Sequence, residues 1–375
     1  MEKKVFLIRG ISPKDYGGAE KYQISLGGEL KKNGYTPIVV SPSIKLLEEA
    51  EAAGLKTIKA PFCRQQNWSG YRNLFLPFFV LWEVYLFFWY LFKTLKYKPQ
   101  VLHIQSRDEF IAATLAGKVT KTKIVWTDHS DLRLVVWENI NIKYKNPIGK
   151  FIFKLAKYPV KITTISNYEH KFVSKIIPKK LPNYVVVPNG SFDFMDKYPK
   201  NDNSNIVGFL GRIIDYKGVE ELIRAFDKVS PKYPEAKLLI YGTGENDDYY
   251  KHLVNNKKIV FKGYTNKPLK AYAEMGIFVL PSYHEGLSLA LLDAAMMQKA
   301  IIATNIDGNP EVVIDQKTGL LVKPRDVNSL ASALDKLLSS PKLQKEYAKN
   351  ARKLFEEKYD FAKIVKEMII PIYES

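Results

Sequence analysis

Short apolar runs rich in β-branched and aromatic residues alternate along most of this chain with longer stretches of helical periodicity. Strands joined by helices run parallel, because a helical crossover returns the chain to the same end of the sheet. The first half holds seven such runs: Val5–Ile8, Pro37–Val40, Lys56–Ile58, Val101–Ile104, Lys123–Trp126, Lys161–Ile165 and Tyr184–Val187. The second half holds five: Ile206–Leu210, Lys237–Tyr241, Ile259–Phe261, Ile277–Leu280 and Lys299–Ala303. Between the two sets, Phe192–Asn205 is rich in Lys, Asp, Asn and Ser and contains Pro199, the composition of a linker. An α/β protein of two domains follows, at residues 1–195 and 196–359, and a chain of 375 residues has the length for both. A last helix is expected at about Pro341–Lys358.

Charge is unevenly placed. Residues 1–195 carry 30 Lys/Arg against 15 Asp/Glu, and residues 196–375 carry 27 against 24. A basic first half points to an anionic partner. The single cysteine, Cys63, excludes an internal disulfide framework and fits a reducing cytoplasm. The first apolar run stops at Arg9, so it reads as a buried strand and not as a signal peptide. Leu74–Phe92 breaks the soluble pattern, with Glu83 its only charge. Spanning is disfavoured, since the runs on either side of it, Val5–Ile8 and Val101–Ile104, belong in one sheet. The neighbours of Glu83 at helical spacing (Phe79, Val80, Leu86 and Phe87) are all apolar, and a helix apolar all round is buried or membrane-embedded. Two readings stay open: a core helix or subunit contact, or insertion at an anionic membrane surface beside Lys93, Lys96, Lys98 and the basic tract Lys143–Lys161.

The most informative stretch runs from Pro281 to Ala295. Glu285 sits in a turn after an apolar run, followed by Gly286, Leu287 and Ser288 and by a helical pattern that carries Asp293. Free backbone N–H groups and the positive dipole end at a helix start suit a phosphate or diphosphate. One acid at each end of such a seat suits a sugar nucleotide, Glu285 for the sugar and Asp293 for the ribose. With the helix opening at Gly286, Asp293 is expected two turns on, roughly 10 Å down the axis. Upstream, Gly208-Phe209-Leu210-Gly211-Arg212 ends a strand and Asp215-Tyr216-Lys217-Gly218 opens a helix, placing two cations at a strand-to-helix turn.

These segments resemble the donor site of glycosyltransferase family 4, retaining enzymes of the GT-B type. The family motif is Glu, seven residues, Glu; here it reads Glu285, seven residues, Asp293, a departure at the second acid. The resemblance implies two Rossmann-like domains whose parallel sheets face across a cleft, with a C-terminal tail of about 360–375 packing back on the first. It implies that Arg212 and Lys217 hold the donor diphosphate, and that the loops of Gly242 and Tyr264 border the nucleotide base. It makes Tyr16-Gly17-Gly18-Ala19-Glu20 the glycine loop that approaches donor phosphates and acceptor, so Gly17 and Gly18 join the donor set. His129, in Thr127-Asp128-His129-Ser130, matches a family histidine close to the transferred sugar, with Asp128 or Asp131 to orient it.

The activity implied is a retaining, hexosyl-type transfer from a nucleotide-sugar, most commonly a UDP-sugar, by front-face displacement. A saccharide or lipid-linked saccharide acceptor, in bacterial surface polysaccharide or glycolipid synthesis, fits the basic, aromatic-rich first half. The expected location is cytoplasmic, peripheral on the inner face of the membrane. Neither a His cluster nor an Asp-x-Asp is present, so no metal and no cofactor are expected. Nucleic-acid binding is disfavoured, since the aromatics gather in one run instead of interleaving with Lys and Arg. The alternatives are a sugar-nucleotide epimerase on the same fold and a degenerate, non-catalytic member.

Overall fold

The computed structural model describes residues 2–10, 18–61, 76–106, 109–129, 161–176, 183–198 and 203–375. The chain divides into two compact units, Met1–Val187 with Val365–Ser375, and Pro188–Ile364.

The first unit holds a seven-stranded parallel sheet of order β3-β2-β1-β4-β5-β6-β7. Its strands are β1 Lys3–Ile8, β2 Tyr35–Ser41, β3 Lys56–Lys59, β4 Val101–Ile104, β5 Lys123–Asp128, β6 Lys161–Thr164 and β7 Tyr184–Val186. The pairing of β1 with β4 runs from Val5 opposite Val101 to Ile8 opposite Ile104, which keeps both on one side of any bilayer. Alternation along the strands sorts two faces. Phe6, Ile8, Leu102, Ile104, Ile124 and Trp126 pack in one core with Leu86 and Tyr90 of helix Leu76–Tyr97. The opposite face carries His103, Thr127 and Thr163, and there the C-terminal tail docks. Tyr373 Oη lies 2.5 Å from His103 Nδ1, Thr127 Oγ1 lies 2.6 Å from His103 Nε2, and Lys123 Nζ donates to the Tyr373 carbonyl at 2.7 Å. Burial lowers the His103 pKa to about 3, so the ring is neutral in this chain of bonds.

The second unit is a six-stranded parallel sheet of order β10-β9-β8-β11-β12-β13. It comprises β8 Ile206–Leu210, β9 Lys237–Tyr241, β10 Ile259–Gly263, β11 Ile277–Leu280, β12 Ala300–Thr304 and β13 Leu320–Val322. Ile277 and Val279 face one core while Phe278 and Leu280 face the other, as strands covered by helices on both sides require. The edge strand β13 has no counterpart among the runs read from sequence; three residues are too few to show alternation. Helix Pro341–Lys358 forms as the sequence indicates, with Ser340 as its cap.

The expected linker is not a free connector. Phe194, Met195 and Tyr198 pack against the second unit's core, and Arg352 forms an ion pair with Asp193. The division therefore falls after Val187 rather than at 195/196, because these apolar side chains, spaced among polar ones, find a buried surface.

Helix Leu76–Tyr97 covers the borderline segment. Among the described residues, no helix is long and apolar enough to cross a membrane. Around its axis the helix has two sides. Its inner face buries Glu83, Leu86, Tyr90 and Thr94, and an outer band of apolar side chains is left exposed.

Candidate active site

In a parallel sheet the crevice lies outside the strand ends where the order reverses, here between β8 and β11. The residues that leave those two strands are Gly211-Arg212 and Pro281 to Glu285, so topology brings together the two segments singled out by sequence. Glycines make the approach possible. At Gly242, φ is +136° and a Cβ would stand 1.7 Å from the Gly211 carbonyl oxygen; at Gly218, φ is +67° and a Cβ would stand 2.2 Å from the Pro281 oxygen. No side chain fits at either place.

Lys217 ends a 3₁₀ turn, Asp215–Lys217, and its Nζ meets Glu285 Oε1 at 2.6 Å with both side chains largely buried. An ammonium has three N–H donors, so this bond leaves two for another acceptor. Arg212 is exposed and donates to Tyr216 Oη at 2.6 Å. The Tyr216 carbonyl accepts from Tyr283 N at 2.7 Å, locking the two loops together. Asp307 accepts the Glu285 N–H at 2.9 Å and lies 3.9 Å from His284 Nδ1. This contact with the acid's own amide fixes the turn that carries Glu285.

The helix after Glu285 runs Leu289–Met296, three residues later than expected, and Ser288 occupies the cap position without a side-chain cap bond. Asp293 thus stands little more than one turn into the helix. Among the described residues, no acceptor is found for the N–H groups of Gly286, Leu287 and Ser288. Those donors, two cations and a helix start together form an anion seat. Asp293 Oδ1 accepts from Ser191 Oγ at 2.5 Å, and Asn189 Nδ2 donates to the Leu287 carbonyl at 3.1 Å. Ser191 was missed in sequence; it lies 102 residues from Asp293 and has no local signal. Tyr264, just after β10, is 75% exposed and presents a free aromatic face near Gly242, whose N–H bonds to the Gly263 carbonyl.

The first unit has its own order reversal, between β1 and β4. Arg9 there is largely buried and paired through Nε with Glu20 Oε1 at 2.9 Å. Its Nη1 donates to the Gln105 carbonyl, and Gly10 N donates to Ser106 Oγ at 2.7 Å. His129 follows β5 with its ring edge-on to Tyr22, centroids 5.0 Å apart. Burial holds the His129 pKa well below the usual imidazole value, and the charge of Arg9 adds to this. Gly18 opens helix Gly18–Lys32; Gly17, Ser130, Asp131 and the tract 143–160 lie outside the described residues. Among the described residues, no group of three or more His, Cys, Asp or Glu is placed to hold a metal.

Two family patterns match the chain: Glycosyltransferase Family 4 over residues 16–191, and Glycosyl transferases group 1 over residues 191–354. The chain is 30% identical over 302 residues to an uncharacterized glycosyltransferase of Methanocaldococcus jannaschii, covering 75% of this chain and 76% of that one. It is 30% identical over 186 residues to a capsular polysaccharide biosynthesis glycosyltransferase of Staphylococcus aureus, a match that spans 48% of this chain and about half, 49%, of that relative. Among solved structures, Anabaena HepE in complex with UDP superposes with a TM-score of 0.78 at 16% identity, over 100% of both chains.

Proposed function

The chain belongs to the family 4 glycosyltransferases of GT-B fold, and on that premise we propose that it moves a hexosyl group from a nucleotide-sugar to a saccharide acceptor with retention of configuration. The single observation that carries the donor assignment is the seat itself: Arg212, Lys217 held by Glu285, and the undonated amides of Gly286 to Ser288 at one crevice. A UDP-sugar is the donor we favour. Its diphosphate takes two ammonium donors of Lys217, the Arg212 guanidinium and the amides, so no metal is needed for charge balance. Glu285 orients Lys217 and accepts a hydroxyl of the sugar. Gly242 and Tyr264 border the base, and Asp293 takes the ribose together with Ser191; within the first unit, Gly18 and His129 are the candidates that the family resemblance marks.

In the chemical step the C1–O bond to the diphosphate breaks as the acceptor oxygen bonds to C1 from the same face. The acceptor's proton passes to the departing phosphate oxygen, which Arg212 and Lys217 stabilise as negative charge develops.

We take the acceptor to be a saccharide carried on a lipid at the inner face of the cytoplasmic membrane, in surface polysaccharide or glycolipid synthesis. The capsular relative supports this class of product.

The test is a nucleotide-sugar panel read by calorimetry in EDTA, on the native chain and on Glu285→Ala. One donor binding well with EDTA present, and losing its advantage over the free nucleotide in Glu285→Ala, supports the reading. No binding by any donor supports a non-catalytic member, and conversion of a donor without an acceptor supports an epimerase.

A further inference from the structure

Helix Leu76–Tyr97 is built inside out for a water-facing element. Glu83, Tyr90 and Thr94 point inward and are buried, while its outer side is largely apolar and aromatic. Phe78, Leu81, Tyr85, Phe88, Phe92 and Leu95 recur three and four residues apart and are all exposed, Phe78 at 70%, Leu81 at 67%, and Phe88 and Phe92 at 60% each. Val80 and Val84, also more than 45% exposed, widen the band to about 160° of the helix circumference at 100° per residue. Water alone does not favour such a surface.

Charge identifies what covers it. Along Pro77–Tyr97 the only acid is Glu83, and it faces the core. Lys96 and Lys98 are exposed, and the Lys93 ammonium lies 5.3 Å over the Trp89 ring on one flank of the band. A helix-to-helix seam between two copies of this chain would use a narrow stripe with opposite charges at its borders. This band is broad and aromatic, and among the described residues of Pro77–Lys98 every charged side chain other than the buried Glu83 is a lysine. A broad apolar, aromatic face with Lys at its edge matches an interfacial helix lying in the plane of an anionic membrane. At about 1.5 Å per residue the helix would lie along roughly 30 Å of surface.

We infer that the outer face of helix Leu76–Tyr97 inserts into an anionic lipid surface, with Phe78, Leu81, Tyr85, Phe88 and Phe92 among the acyl chains and Lys93 and Lys96 at the headgroups. Its purpose rests on the proposed lipid-carried acceptor, but the binding itself does not.

Flotation of the full chain with vesicles of phosphatidylcholine alone, or mixed with phosphatidylglycerol, tests it. Recovery with the mixed vesicles should exceed that with phosphatidylcholine severalfold and fall as salt rises. The exposed pair Phe88→Ser with Phe92→Ser should lose binding at least tenfold at unchanged Tm, as should Phe78→Ser with Leu81→Ser at the other end of the band. Lys93→Gln with Lys96→Gln should lose mainly the preference for phosphatidylglycerol. Absence of vesicle binding, binding unchanged in both apolar pairs, or a dimer in light scattering that Phe88→Ser with Phe92→Ser dissolves would each overturn the inference. Donor binding is read separately, so vesicle failure with intact calorimetry removes only the docking surface, and the reverse removes only the transferase reading.

Discussion

The two sheets share one strand order over six positions, yet the described residues at their switch points differ in charge. In the second unit an exposed Arg212, a Lys217 with donors to spare and unfilled backbone amides gather at the crevice. In the first, the corresponding arginine, Arg9, is largely buried and already bound to Glu20, and the nearby His129 is held uncharged. Among the described residues, the same topology thus gathers unspent donors in one unit and a paired arginine beside an uncharged histidine in the other. Topology fixes where a site lies; side-chain pairing fixes what it accepts.

The comparison can be broken most forcefully at its arginines. Arg9→Ala leaves Glu20 buried beside a lost cation and should cost about 3–5 kcal/mol of stability, read from denaturant unfolding, with nucleotide affinity unchanged in the folded fraction. A fall in nucleotide affinity at unchanged stability would place Arg9 on the phosphates and erase the contrast. Arg212→Ala and Lys217→Ala should each lower turnover about 10²–10³-fold while Tm moves little for Arg212→Ala, whose side chain is exposed.

A smaller effect sharpens the neutral side. Burial holds His103 at about 3, so the folded state refuses a proton that the unfolded chain takes up below about pH 6.5. Stability is therefore fully present above pH 6.5 and falls as pH drops towards 3, by up to about 1.4 kcal/mol per pH unit for this one group. His129 adds a loss of the same sign. The slope of unfolding free energy against pH should shrink by one proton in His103→Asn; an unchanged slope would show that the ring is protonated in the folded chain.

The smallest effect belongs to Asp293. Already engaged by Ser191, it should tolerate Asn with a loss of nucleotide affinity of about tenfold or less, the scale of one ordinary hydrogen bond. A larger loss, measured with UDP in calorimetry, would mean that the departure from the family's second Glu has not weakened the ribose contact.

Much of the fold was legible beforehand. The runs at Val101–Ile104, Ile206–Leu210, Lys237–Tyr241 and Ile277–Leu280 are strands at those same bounds, because buried parallel strands are continuous apolar runs between turn residues. The start of the helix before Asp293 was misplaced, since Gly286 looks like a helix entry while Ser288 takes the cap position. Leu320–Val322 and the docking of Phe194 and Met195 were not visible, because each depends on a partner surface supplied by another element.

Sequence alone determined that the chain forms two parallel α/β sheets, and that the cations and Glu285 leave strand ends where a phosphate can be held. Period and turn chemistry are local, and they suffice for that. Only the tertiary structure decided that Lys217 meets Glu285 across 68 residues, that Ser191 holds Asp293, and that Arg9 is spent on Glu20. It also decided which side of helix Leu76–Tyr97 faces out. A helix with apolar neighbours on every side carries no local instruction about its buried face, and the choice falls to whichever side can bury Glu83, Tyr90 and Thr94 against the sheet.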